Sequence, residues 1–223
     1  MGHINQFKFV QRLRSDLRGP VLEVGSRDYG NTQNVRALFE RETYVGIDML
    51  EGPGVDHVID LTWPFERVDT LLGGRRFGTI LCFSVMEHCA QPFAMADTLT
   101  RILAPGGKLV LSVPFAWKFH GYPSDYWRFT HEGIKTLFGG LRFDDSEGII
   151  FHTFEDDTGP IDRDLGRIHL KGSRQRRAGH PLRGALLTGL KILGPVNPLR
   201  WLTRHPYLMA ATSIIMVGHK ADT

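Results

Sequence analysis

Val21-Leu22-Glu23-Val24-Gly25-Ser26-Arg27-Asp28-Tyr29-Gly30 is the stretch that decides the fold. Three apolar residues around one carboxylate run into Gly25, and Gly30 precedes an amphipathic stretch carrying Val35, Leu38 and Phe39. The pattern predicts a buried strand turning tightly into a helix. Glycine at the turn allows positive φ and close backbone approach to a ligand, while the new helix offers unpaired N–H groups. A second strand, Tyr44-Val45-Gly46-Ile47-Asp48, ends in an acid 23 positions after Gly25. An acid about 20 residues past such a turn is where a Rossmann-like sheet holds ribose hydroxyls. Together the two strands predict a nucleoside site.

Glu23 narrows the nucleoside. A carboxylate two residues before the turn repels phosphates, which disfavours an NAD-type loop, whereas a ligand with an ammonium and a sulfonium suits it. S-adenosylmethionine is such a ligand. The arrangement resembles the first two motifs of class I S-adenosylmethionine-dependent methyltransferases. The family loop runs acid-x-Gly-x-Gly-x-Gly; here Arg27 and Tyr29 stand at the second and third glycine positions and Gly30 follows. The later matches are Ser84-Val85-Met86-Glu87-His88, then Arg101-Ile102-Leu103-Ala104-Pro105-Gly106-Gly107, then Leu109-Val110-Leu111-Ser112-Val113-Pro114. In order and spacing they resemble the small-molecule, type 11-like members of the family, over about residues 20–140.

The resemblance implies an α/β fold: a Rossmann-like, mostly parallel seven-stranded sheet with an antiparallel last strand and helices on both faces. It implies S-adenosylmethionine as cofactor, released as S-adenosylhomocysteine, held by Glu23, Gly25, Ser26, Arg27, Asp48, Met49, Asp60, Leu61 and Ser84. An acid at the place of Asp60 often reaches the adenine amino group in the family, and a helix-capping or solvated Asp is an equal alternative.

Further elements follow from pattern. Residues 4–18, with Phe7, Val10, Leu13 and Leu17 at helical spacing, predict an amphipathic helix whose role is core packing. Val55 to Leu61 predicts a third strand, Phe77 to Ser84 a fourth buried on both faces, and Lys108 to Pro114 a fifth. Leu141 to Phe154 and Tyr207 to Lys220 predict the last two, and Thr130 precedes a helix from Glu132 to Phe138. The whole is expected to be one domain, 1–223, with a basic insert at about 158–205. Residues 160–205 carry +8 and the remainder −5, within a net charge of +3. The insert splits into an Arg-rich half and a short apolar helix, Ala185 to Leu193, whose apolar face is Leu186, Leu187, Leu190 and Leu193. A lid over the acceptor is the preferred reading, ahead of a packed helix and of peripheral contact with an anionic membrane.

The chemistry follows from the donor. A sulfonium is already activated, so alignment is the main task, and an alcohol acceptor also needs a base. His88 and His120 follow the fourth and fifth strands, at the edge where ligands bind. His120 has Asp125 close by to orient it. These three residues are the catalytic candidates. Tyr122, Tyr126 and Trp127 offer a stacking platform for a sugar ring, and Arg128 either clamps an anionic acceptor or pairs with Asp125. His3, His169, His180 and His205 lie in polar stretches and are expected to be solvated. No residue is assigned to a metal. Glu155-Asp156-Asp157 could join His120 or Asp125 around Mg²⁺, but a solvated acidic turn is preferred.

Bulk properties bound the alternatives. At 223 residues, 42% hydrophobic and 23% charged, the chain suits a well-buried α/β domain. No apolar run reaches the roughly 18 residues of a membrane helix, and charges throughout the first 20 residues predict no signal peptide. Cys82 and Cys89 are expected as buried thiols of a reducing cytoplasm. The expectation is therefore a cytoplasmic methyltransferase, with peripheral membrane contact as an option, acting on oxygen of a small-molecule or glycan acceptor. The rivals are an NAD-dependent reductase and a nucleic-acid-binding protein using the basic insert. The insert lacks interleaved aromatics and a known module, so no specific nucleic acid is expected.

Overall fold

β1 (Val21–Val24) pairs in parallel with β2 (Tyr44–Asp48) on one side and β4 (Phe77–Phe83) on the other. The computed structural model describes residues 2–30, 33–121, 124–177, 179–192 and 205–222. The chain forms two compact units, Met1–Ile161 with Thr212–Thr223, and Asp162–Ala211. In the first unit β3 (His57–Val58) extends the parallel ladder beyond β2, and β5 (Leu103–Ala116) extends it beyond β4. The final strand, β11 (Thr212–His219), runs antiparallel to β5. β6 (Arg142–Phe143), β7 (Ile149–Phe151) and β8 (Thr158–Gly159) complete a nine-stranded sheet of order β3-β2-β1-β4-β5-β11-β7-β8, with β6 also on β11.

The mostly parallel sheet and its antiparallel end match expectation, but the strand number does not. The strand expected over Leu141 to Phe154 is broken in the middle. Asp144 accepts hydrogen bonds from the Ser146 backbone N–H and hydroxyl, which winds Asp145–Glu147 into a 3-10 turn. The third strand shrinks for a similar reason: Asp56 at its start takes the Gly46 N–H and Arg36, and Asp60 at its end caps Thr62. The helix expected after Gly30 is only a 3-10 turn, Arg36–Phe39.

Both faces of the sheet are covered. Val21, Leu81, Phe83, Val110, Ile215 and Val217 pack with Phe9 and Val10 of α1 (Ile4–Leu13) and with Val35 and Phe39. The alternate residues of β4 and β5 face the other way, towards α3 (Pro92–Ile102), which in turn meets α4 (His131–Leu137). Thr130 caps α4 by accepting the Gly133 N–H. Between β3 and β4 runs α2 (Phe65–Leu71).

α1 does more than fill the core. Gln6 is 1% exposed and donates from Nε2 to the hydroxyls of Ser84 and Ser112, at the ends of β4 and β5, both at 3.1 Å. Its Oε1 accepts the His3 N–H, and His3 caps the helix in return. His3 is thus a cap rather than a solvated residue. Asn5 exchanges hydrogen bonds with Phe154 and Asp156 beside β7.

The second unit occupies most of the expected insert. β9 (Arg167–His169) and β10 (Tyr207–Met209) form an antiparallel pair, so Tyr207 belongs here and not to the last strand. His169, expected to be solvated, faces Asp164 at 3.2 Å. α5 (Gly172–Arg177) packs on α6 (Pro181–Ile192), where Arg176 donates to Gly184 O and Thr188 Oγ1. α6 leaves Leu182, Leu186 and Ile192 exposed; Leu193 lies outside the described residues.

Gln6→Ala should destabilise the fold by about 1–3 kcal/mol, because two buried hydroxyls and the helix cap lose a partner together. Urea denaturation measures this, and an unchanged midpoint would show that α1 is anchored by its apolar face alone.

Candidate active site

The turn after β1 is built for close approach. Gly25 has φ +72°, and a Cβ there would lie 2.5 Å from Val85 Cγ2, in the loop after β4. The Gly25 and Ser26 N–H groups both donate to Ile47 O. Ser26 Oγ is buried without a hydrogen-bond partner. Asp48, at the end of β2, accepts from the Arg27 N–H (3.4 Å) and the Leu50 N–H (3.0 Å). Arg27 stacks over Tyr29, and Met49 beside Asp48 is 58% exposed. Asp60 accepts the Thr62 N–H and hydroxyl through Oδ1, closing a turn ahead of α2 without capping the helix, and Leu61 beside it is buried.

Glu23 takes no part in that surface turn. Its carboxylate is buried and accepts the Tyr44 hydroxyl at 2.8 Å, and burial raises its pKa above the usual carboxylate value. Ser84, like Asp156 on the acidic turn, has a positive φ. It adopts φ 53° without being glycine, a conformation costing about 1–3 kcal/mol, and donates its N–H to Ser112 O.

Beyond Ser84 the chain makes a 3-10 turn, Met86–His88, and the loop after β5 folds back onto it. The Tyr126 and Trp127 N–H groups donate to Glu87 O, and Trp127 Nε1 donates to Cys89 O. Asp125 fixes the loop. Its side chain is 1% exposed, receives both guanidinium nitrogens of Arg128 (2.6 and 2.8 Å) and accepts the His120 N–H (2.8 Å). The Arg128 guanidinium holds the Asp125 carboxyl well below the usual carboxylate range. Of the two expected roles for Arg128, the structure shows the pair with Asp125.

The loop delivers His120 to His88 and Glu87. The imidazoles meet edge to face with centroids 5.0 Å apart. His120 Nδ1 faces Asp125 Oδ2 (3.3 Å) and Lys118 O (3.2 Å), and His88 Nδ1 faces Ser124 O. A ring nitrogen facing oxygen acceptors carries the proton, so both neutral rings turn an Nε2 lone pair inward. Each Nε2 lies 3.9 Å from Glu87 Oε1. Burial pushes the Glu87 carboxyl up to about 8, and its Oε2 is buried without a hydrogen-bond partner. Burial also lowers the His88 pKa. The result is two imidazole lone pairs turned towards a carboxyl that burial favours in its neutral form, at the carboxyl edge of the sheet.

The structure therefore brings together His88, His120 and Asp125. Tyr126 and Trp127, 53% and 41% exposed, flank them, whereas Tyr122 lies outside the described residues. The acidic turn is engaged elsewhere: Lys8 pairs with Glu155 (2.7 Å) and Asp156 (2.8 Å), and His152 faces Asp157 (3.2 Å). The turn was expected to be solvated; its carboxylates instead form ion pairs. Two residues escaped the sequence reading, Glu87 and Gln6. Glu87 stood in the quoted Glu-His pair; for Gln6 the signal was a polar residue inside an apolar helix face.

Comparison with known proteins places this geometry. A family model described as a methyltransferase domain matches residues 5–147. A ubiquinone biosynthesis O-methyltransferase of Coxiella burnetii is 25% identical over 131 residues, covering 50% of this chain and 56% of that protein. The chain thus spans about half the length of the curated relative it matches. Among solved structures, 1,6-didemethyltoxoflavin-N1-methyltransferase of Burkholderia thailandensis aligns with TM-score 0.54 at 13% identity, covering 98% of this chain and 79% of that one. A methyltransferase from Archaeoglobus fulgidus, described as S-adenosylmethionine-dependent, aligns with TM-score 0.51 at 12% identity, covering 96% and 92%. The family match, the sheet order and the glycine turn agree: the chain belongs to the methyltransferase domain family, in its class I, S-adenosylmethionine-dependent form.

Proposed function

We propose that this chain moves the methyl group of S-adenosylmethionine to a hydroxyl oxygen of a small-molecule or sugar-type acceptor, with His120 as the base. The observation that carries the reading is His120 itself: Asp125 fixes its Nδ1 side and leaves Nε2 facing the cluster at the ligand edge. As the acceptor oxygen bonds the methyl carbon, the carbon–sulfur bond breaks and the hydroxyl proton passes to His120 Nε2. S-adenosylhomocysteine leaves. Exposed Tyr126 and Trp127 suit stacking against a sugar ring. The Coxiella relative is named for O-methylation, which supports oxygen as the acceptor atom.

The donor would lie over the turn after β1. The Asp48 carboxylate accepts two backbone N–H groups and has capacity left for ribose hydroxyls. Gly25, Ser26, Arg27, Met49, Asp60, Leu61 and Ser84 are the further residues proposed to line the donor site, with Glu23 buried beneath the turn. The structural neighbour from Burkholderia was crystallised with S-adenosylhomocysteine, which supports the same donor here.

The second unit favours an anionic surface as a further partner. α6 exposes Leu182, Leu186 and Ile192, while α5 carries Arg174, Arg176 and Arg177. A short helix with exposed apolar residues and a basic neighbour suits the interface of an anionic bilayer. Among the described residues no helix is long and apolar enough to cross a membrane.

Each part has its test. Asp48→Ala should weaken S-adenosylmethionine binding by about 1.5–3 kcal/mol in calorimetry, and unchanged affinity would remove Asp48 from the ribose. His120→Ala should lower kcat by about 10²–10⁴-fold with donor affinity intact. An unaffected kcat on a panel of sugar and phenolic acceptors would leave positioning as the only catalytic device. Co-sedimentation with anionic vesicles should occur at low salt and vanish at high salt or in Leu186→Asp; no binding at low salt would dismiss the membrane.

A further inference from the structure

We propose that Glu87, His88 and His120 form a binding site for one divalent transition-metal ion, of the kind that takes mixed imidazole and carboxylate ligands. One carboxylate oxygen and two imidazole nitrogens lie within 4.8 Å of one another. Both Nε2 atoms are 3.9 Å from the same Glu87 oxygen. Tetrahedral ligands at about 2.0–2.2 Å from an ion stand roughly 3.3–3.6 Å apart, so each nitrogen needs to approach the Glu87 oxygen by about half an ångström.

Two further observations point to a cation. The outer nitrogens are already held: His120 Nδ1 by Asp125 and Lys118 O, His88 Nδ1 by Ser124 O. Metal-bound histidines are oriented in this way, their second nitrogen donating to a carboxylate or a backbone carbonyl. The Glu87 side chain is 1% exposed; its Oε1 faces both imidazoles, and its other oxygen, Oε2, is buried without a hydrogen-bond partner. Arg128, the neighbouring cation, is committed to Asp125 through both terminal nitrogens. Three possible ligand atoms thus converge.

The ligand set selects the ion. Two imidazoles favour Zn²⁺, Fe²⁺, Co²⁺ or Ni²⁺ over Mg²⁺, Ca²⁺ and Mn²⁺, which prefer oxygen. Three protein ligands leave an open position for an acceptor oxygen, and a coordinated hydroxyl is acidified. In the metal-free protein the His120 lone pair is available as a base; in the loaded protein the same lone pair is a ligand and the ion acidifies the hydroxyl. The inference rests on the geometry of the three residues and not on the identity of the acceptor.

The test uses Co²⁺, whose visible ligand-field bands report its coordination. Titration of the chelator-treated full chain should reach one equivalent of Co²⁺ with bands of four or five coordination, bleached by one equivalent of Zn²⁺. His120→Ala and the isosteric Glu87→Gln should each weaken Co²⁺ at least about tenfold, and Asp125→Asn by about 10–100-fold through His120. His57→Ala, at the exposed β3, should change nothing. Absence of ligand-field bands in the unaltered chain, or undiminished bands in both ligand variants, overturns the site, and the first outcome needs no variant to fold. Calorimetry with S-adenosylhomocysteine on the same samples separates the two readings. Ligand bound without Co²⁺ sinks the metal alone, and Co²⁺ bound without ligand sinks the methyltransferase geometry alone.

Discussion

The arrangement of this site depends on one ion pair. The Asp125 side chain is covered by its neighbours, and Arg128, gripping it with two nitrogens, is the main group that holds it charged. The pair does not act alone. Arg128 also donates to Trp117 O, Lys118 O and Trp127 O, drawing both ends of the loop together. Asp125 in turn accepts the His120 N–H and faces its ring, so loop closure and imidazole orientation are one event.

The loop needs a floor, and β4 with β5 provides it. Phe129 N–H donates to Pro114 O at the end of β5, and two loop N–H groups converge on Glu87 O. Ser84 lies between sheet and turn in a left-handed conformation, held by its bonds to Ser112 O and Gln6. Strained non-glycine positions persist where the surroundings over-determine them and cluster at functional sites. Here the strain re-aims the chain so that Glu87 turns inward, while Gly25 packs against the neighbouring Val85. The glycine turn after β1 and the Glu87-His88-His120 cluster are thus built on adjacent strands, at the carboxyl edge where α/β sheets bind ligands.

Much of this was legible in the sequence, and the misses have physical causes. β1, β2, β4, β5 and β11 announced themselves because buried strands need continuous apolar runs. β3 did not shrink on paper, because Asp56 and Asp60 stop the strand by bonding to partners elsewhere in the loop region. The helix after Gly30 shows the same competition. Asn34 caps Ala37 with its own side chain, and only a 3-10 turn fits before Tyr44. His120, His88 and Asp125 were visible as residue types near strand ends. Glu87 was not singled out, since a carboxylate in a turn is ordinarily exposed, and only the folded-back loop buries it. The hairpin β9–β10 and the early start of α6 at Pro181 were beyond reach, because the second unit has few apolar residues at regular spacing.

The account stands on the direction of two lone pairs. If His88 and His120 both carry their protons on Nδ1, two Nε2 lone pairs face Glu87, and the cluster can accept a proton or a cation. Nitrogen-15 resonance of the histidine rings in the full chain reads this directly. The predicted result is the Nδ1–H tautomer for both neutral rings, with both Nε2 atoms unprotonated. An Nε2–H tautomer at either ring would aim a proton at the Glu87 carboxylate, satisfy it as a simple hydrogen bond, and contradict the site.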